Sequence, residues 1–174
     1  MNATPQINQK GEARPFLPAP VDWSQLQPIQ TLMGLSRRRL TRDEILQLIE
    51  TRQIRWAWDI ARPGARRPEV RIWRDSVLAS LAGEDASHPV SAPEERSLTQ
   101  VITSILPRPT SLARRAAAIG LQELQRRFLC CRSHLLGLIA DGELSLVQGW
   151  REGIPPTVLY QSVFEFLKRR TMTA

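Results

Sequence analysis

Residues 40–56, LTRDEILQLIETRQIRW, lie over the last 17 of residues 129–146, LCCRSHLLGLIADGELSL, when the chain is shifted by 90 positions. Leu46, Leu48 and Ile49 then meet Leu136, Leu138 and Ile139, and Ile54 meets Leu144. A second match follows at an offset of 86, where RIWRDSVLASL, residues 71–81, lies over TVLYQSVFEFL, residues 157–167, pairing Ser76, Val77 and Leu81 with Ser162, Val163 and Leu167. The four-residue difference falls in the loop between the two matches, where changes of length are tolerated best. A shared order of this kind reads as two copies of one small unit.

Each copy yields the same elements from its own residues. Thr41 followed by Glu44 is a capping box, Asp43 and Glu44 suit the positive end of a helix, and Ile45, Leu48 and Ile49 form one apolar stripe, which predicts a short buried helix. Gln53 to Ile60 alternates around Ile54, Trp56 and Trp58, Arg62 to Pro68 holds two prolines and a glycine, and Val70 to Ile72 resumes the apolar pattern, which predicts a small hairpin. A helix from about Arg74 to Leu81 closes the first copy, and one from Gln161 to Arg170, with Val163, Phe164 and Leu167 inward, closes the second. Ahead of the capped helices the pattern predicts earlier ones, carrying Trp23, Leu26, Ile29 and Leu32 in the first copy and Leu112, Ile119, Leu124 and Phe128 in the second. The expected order is helix, turn, helix, hairpin, helix. Trp56, Trp58 and Trp73 read as the core of the first unit.

Residues 1–22 carry Pro5, Pro15, Pro18 and Pro20 with little periodicity and read as an extended or disordered lead. AGEDASHPVSAPEER, residues 82–96, has linker composition, so the expected division is a first unit over 23–82, a linker over 83–96 and a second unit with a preceding helix over 97–170. In the second unit Pro107 and Pro109 end the short helix SLTQVITSIL, and Thr110 or Ser111 caps the next.

The 174 residues, 42% hydrophobic and 24% charged, have the composition of a soluble globular chain with room for two small cores. No uncharged run reaches the roughly 18 apolar residues that a membrane span needs. The N-terminal sequence lacks the apolar block of a secretory signal, which makes the cytoplasm the expected compartment. The adjacent Cys130 and Cys131 cannot form an ordinary disulfide framework and have no second pair for a zinc site, so they read as small buried residues of a reduced protein. No metal or other cofactor is expected. His88 and His134 stand without carboxylates at metal-ligand spacing, and no Gly-rich phosphate loop or nucleophile elbow is present, so the chain reads as a non-enzyme.

Charge points to an acidic partner, because 24 basic side chains stand against 17 acidic ones, a formal net of +7. Only Lys10 and Lys168 are lysine and the other 22 are arginine, which fits either genome base composition or selection for bidentate phosphate and guanine contacts. Between Arg37 and Arg74 there are 11 arginines against five acids, a local net of +6. Most of the excess charge is there.

The second copy, CRSHLLGLIADGEL followed by a loop and SVFEFLKRR, resembles the winged helix-turn-helix of excisionases and MerR-type regulators. Gly142, Glu143 and Leu144 supply that family's step after the short helix, and Phe166 and Leu167 supply its closing pair. The first copy is similar through LTRDEILQLIETRQI and RIWRDSVLASL, with Arg52 in place of the glycine. A competing register, SLARRAAAIGLQELQRRF over residues 111–128, reads like a helix-turn-helix by itself but leaves the closing helix unexplained.

The resemblance implies a mainly α (α+β) fold of two tandem winged helix-turn-helix modules, each with helices and a small β-hairpin wing. It implies double-stranded DNA as the partner, each second helix in a major groove and each wing on the backbone or minor groove, with two half-sites about one helical turn apart. The implied role is transcriptional regulation or excisionase-like architectural work in recombination, in the bacterial nucleoid. By position, Arg37, Arg38 and Arg39 would face the backbone, Arg42 would read guanine or hold a phosphate, and Gln47 would read adenine. Arg62, Arg66 and Arg67 would enter a narrow minor groove from the wing tip, and Arg132 and Ser133, with His134 beside them, would meet a phosphate at the second reading helix. Arg71 and Arg151 complete the implied set. Glu44 and Glu50 would repel phosphates unless they cap the helix or contact cytosine. The second copy departs from the pattern, since Leu136, Gly137 and Ala140 stand where family members carry bulky polar or basic residues. That departure carries the alternative expectation, an adaptor whose modules bind a recombinase, a transposition component or a transcription protein.

Overall fold

The computed structural model describes residues 25–84, 96–106, 117–147 and 155–172. These form a mixed α+β structure of seven helices and two small antiparallel sheets. The first half contains β1 (Leu26–Pro28), α1 (Ile29–Leu35), α2 (Arg42–Glu50), β2 (Ala57–Asp59), β3 (Val70–Trp73) and α3 (Arg74–Glu84). The second contains α4 (Leu98–Ile105), β4 (Ala118–Gly120), α5 (Leu121–Phe128), α6 (Arg132–Ala140), β5 (Thr157–Leu159) and α7 (Tyr160–Arg169).

Local chemistry places α2. The Thr41 hydroxyl accepts the Glu44 N–H at 3.3 Å and the Glu44 carboxylate accepts the Thr41 N–H at 2.7 Å, so the capping box read from the sequence is present. At the other end Arg52 enters the left-handed region at φ 61°, its N–H on the Ile49 carbonyl, and the Ile54 N–H returns to Leu48. Ninety residues on, the same bonds recur around α6: Gly142 stands at φ 76° with its N–H on Ile139, and the Leu144 N–H reaches Leu138. The turns before the two helices match as well, with Arg39 at φ 51° and Leu129 at φ 48°. Arg52 is therefore the strained member of a pair whose other member is glycine. Arg52→Gly is expected to stabilise the chain by about 0.5–1 kcal/mol, seen as a higher urea midpoint at unchanged slope. A lower midpoint would refute the pairing.

The offset of 86 also holds as geometry. Trp73 and Leu159 donate their N–H groups to Trp56 and Ser145, and the next residues, Arg74 and Tyr160, donate to Gln25 and Ala117. Val77 and Val163 are both fully buried in the closing helices.

Two expectations are corrected. Leu26 and Ile119 were expected in leading helices, but Leu26–Pro28 and Ala118–Gly120 are strands, pairing antiparallel with β3 and β5. Pro28 lacks the N–H that a helix interior needs and caps α1 in extended conformation, as Gly120 caps α5. Trp23 and Leu112, expected in the same helices, lie outside the described residues. The second correction concerns the tryptophans. Along β2 and β3, Ala57, Val70 and Ile72 face the first-half core of Ile29, Leu32, Ile45 and Ile49, whereas Trp58 and Trp73 join the second-half core around Phe128, Leu135 and Phe166. Trp56 packs against that second core too. The first sheet, ordered β1-β3-β2, is thus buried on both faces.

The free edge of β2 is covered from the far end of the sequence. The Asp59 N–H donates to Arg170 and the Met172 N–H to Ala57, at 3.0 and 2.8 Å, so residues 170–172 continue the sheet. The expected linker begins inside α3, which runs through Glu84, and residues 85–95 lie outside the described residues. Arg96 covers the Trp73 ring at 5.4 Å.

Candidate nucleic-acid interface

The basic residues singled out in the sequence divide into three groups. Arg37, Arg38 and Arg39 are exposed on the turn between α1 and α2. Arg42 opens α2, and its Nη2 donates to the Pro68 carbonyl at 2.6 Å, which ties the start of that helix to the loop between β2 and β3. That loop turns at Gly64 (φ 77°) and carries Arg66 and Arg67, both exposed. Gln47 is exposed one turn further along α2. The Thr41 N–H and hydroxyl engage the Glu44 carboxylate and hold it below the usual carboxylate range. Its charge is spent on the cap. This first group comprises the turn, the helix start and the hairpin loop, and the bond from Arg42 to Pro68 joins the last two.

Arg62, Arg71 and His134 form a second group, in the seam between the halves. Arg71 is 6% exposed, and its guanidinium donates to the carbonyls of Phe128 and Leu129 at 2.7 and 3.0 Å and to Glu69 at 2.7 Å. A planar fork of donors suits two adjacent carbonyls and a carboxylate. Arg62 makes a bidentate pair with Asp141 at 2.7 and 2.8 Å, and its hydrogen bonds hold that carboxyl below the usual range. His134 Nε2 lies 2.8 Å from the Ile60 carbonyl, to which it must donate, and Nδ1 lies 3.3 Å from Glu69. All three side chains, expected on DNA, are committed to protein contacts. The reason is the two-faced first sheet, which carries the base of the hairpin onto α5 and α6.

The third group is smaller. Arg132 and Ser133 are exposed at the start of α6, with the Ser133 hydroxyl 3.0 Å from the Cys131 sulfur. That hydroxyl lowers the Cys131 thiol, while burial pushes Cys130 up to about 12. Cys131 is exposed, contrary to the expectation of two buried cysteines, because it stands at the N-cap of α6. Arg151 lies outside the described residues.

Asp141, Glu69 and Gly137 matter to this arrangement and were not singled out as contacts between the halves. A Cβ at Gly137 would stand 2.7 Å from both Cδ and Nε of Arg62. One signal was available: at an offset of 90, Gly137 occupies the place of Gln47. Among the described residues, no three His, Cys, Asp or Glu side chains gather as a metal site, and no helix is long and apolar enough to cross a membrane. No family model matches the chain, and no curated protein or solved structure is significantly similar to it.

Proposed function

We propose that this chain is a sequence-specific double-stranded DNA-binding protein of tandem winged helix-turn-helix modules, serving as a transcriptional regulator or an excisionase-like architectural factor. The reading is supported by one observation, the hydrogen bond from Arg42 to the Pro68 carbonyl, which joins the start of α2, three residues after the turn arginines, to the arginine-bearing hairpin loop. Arginines flanking a helix start on both its turn and its hairpin side would let the helix enter a major groove while they meet phosphates. In this reading Gln47, with its amide outward, is the base reader, and Arg66 and Arg67 are the wing contacts.

Fluorescence anisotropy of a labelled genomic duplex, titrated between about 50 and 200 mM salt, tests it. Binding should weaken steeply with salt, and Arg66→Ala with Arg67→Ala should flatten the log–log slope by about 1.8, two phosphates at roughly 0.9 each. No binding at the lowest salt overturns the reading. The alternative, an adaptor for a recombinase, transposition or transcription protein, draws support from α6, whose outward side offers Leu136 and Ala140 rather than base-reading groups.

A further inference from the structure

Along α6 and its C-cap the residues His134, Gly137 and Asp141 fall at helical spacing in one stripe. Each is taken by the first-half hairpin: His134 by the Ile60 carbonyl and Glu69, Gly137 by the overlying Arg62, and Asp141 by the Arg62 guanidinium. Arg71 extends the seam past the helix start to the Phe128 and Leu129 carbonyls of the preceding turn. The equivalent stripe of α2, ninety residues earlier, is Glu44, Gln47 and Thr51, and all three are exposed. One surface therefore has two fates in the two halves. In the first it is open beside exposed arginines, and in the second it receives the other half's hairpin.

The exchange runs one way. Arg71 on β3 has Thr157 as its counterpart on β5, which has no guanidinium to place on a turn's carbonyls. Beyond its first turn α6 keeps Leu136 and Ala140 outward, which cannot hydrogen-bond a base edge, and leaves only Arg132 and Ser133 at its start with groups that could. We propose that the second half is a brace and not a second reader: α6 holds the base of the basic hairpin through Arg62, Arg71 and His134, and the chain engages DNA through the first half alone. Asp141 is then a positioning residue, acting on DNA only through Arg62 and the hairpin it fixes. This rests on the DNA-binding reading above for its functional half, while the bracing itself can be measured without DNA.

The test is Asp141→Ala in the full chain, read two ways. Amide hydrogen exchange of the free protein should quicken about tenfold or more over residues 60–69 while α7 keeps its protection, which shows that the fold survives. Affinity for a 30-base-pair duplex should fall about fivefold, even though removing an acid makes the chain more positive and would by charge alone strengthen binding. The swapped pair, Arg62→Asp with Asp141→Arg, should restore most of both. Arg132→Ala should leave the salt slope unchanged, and a hydroxyl-radical footprint should cover about one helical turn. Unaltered exchange over 60–69, tighter duplex binding by Asp141→Ala, or a footprint of two turns would overturn the brace. If the wild-type chain binds no duplex but the exchange result holds, the brace stands and the DNA-binding reading fails.

Discussion

Arg71→Ala should lower the stability of the folded chain by about 3 kcal/mol, although an arginine in so basic a stretch has the look of a surface residue. The side chain reaches across the two halves to the carbonyl of the fully buried Phe128 and to that of Leu129, and it holds Glu69 as a counter-ion. Truncation leaves the buried Phe128 carbonyl without this donor, at a cost on the order of 1–3 kcal/mol, and takes one partner from the half-exposed Glu69, a smaller loss because solvent and His134 remain beside it. Lysine keeps the charge but supplies no planar fork, so Arg71→Lys should recover less than half of the deficit. The check is urea unfolding followed by tryptophan fluorescence. Trp58 and Trp73 lie at the seam, so loosening of the two halves should be visible there first. A loss below about 0.5 kcal/mol, the range of an ordinary surface substitution, would mean that the buried fork is dispensable.

The second large effect is on binding. Replacing Arg37, Arg38 and Arg39 together by alanine should flatten the salt dependence by about 2.7 in slope, three phosphates at roughly 0.9 each, and weaken duplex affinity by about two orders of magnitude near 0.1 M salt. The three side chains are exposed and precede a helix whose cap is made by Thr41 and Glu44, so thermal stability should hardly change. A triple variant that keeps the wild-type slope would remove the turn from the interface and shift attention to the hairpin loop.

These two predictions concern residues of the same type, 34 positions apart at most, yet sequence separated them poorly. What was legible was local. The bond from Thr41 to Glu44 spans three residues, the step at Gly142 needs only its own backbone, and the hairpin is bounded by prolines and a glycine, so all were readable from nearest neighbours. The short strands β1 and β4 were not, because three residues acquire a conformation only from the strand across from them, and Leu26 finds its partner at Trp73. Alternation along Ala57, Trp58, Val70, Arg71 and Ile72 says that two faces exist, but nothing in it says that the tryptophan face belongs to the other half. The candidate site divides in the same way. Arg37 to Arg39 could be placed from the turn they occupy, whereas Arg62, Arg71 and His134 are set by partners 57 to 79 positions away. Two clues were compositional: an arginine between Val70 and Ile72 in an otherwise apolar strand, and a glycine where the other copy has glutamine.

The closure of β2 by residues 170–172 sets a clock on the protein's synthesis. The strand emerges with the first half, but the segment that pairs with its outer edge is made more than a hundred residues later. At about 5–20 residues per second that interval is roughly 5–20 s, during which the Asp59 N–H and the Ala57 carbonyl face solvent on an unpaired strand. The first half therefore spends its opening seconds with a sticky edge, and a nascent chain that stalls before its last helix is the form of this protein most exposed to wrong pairing.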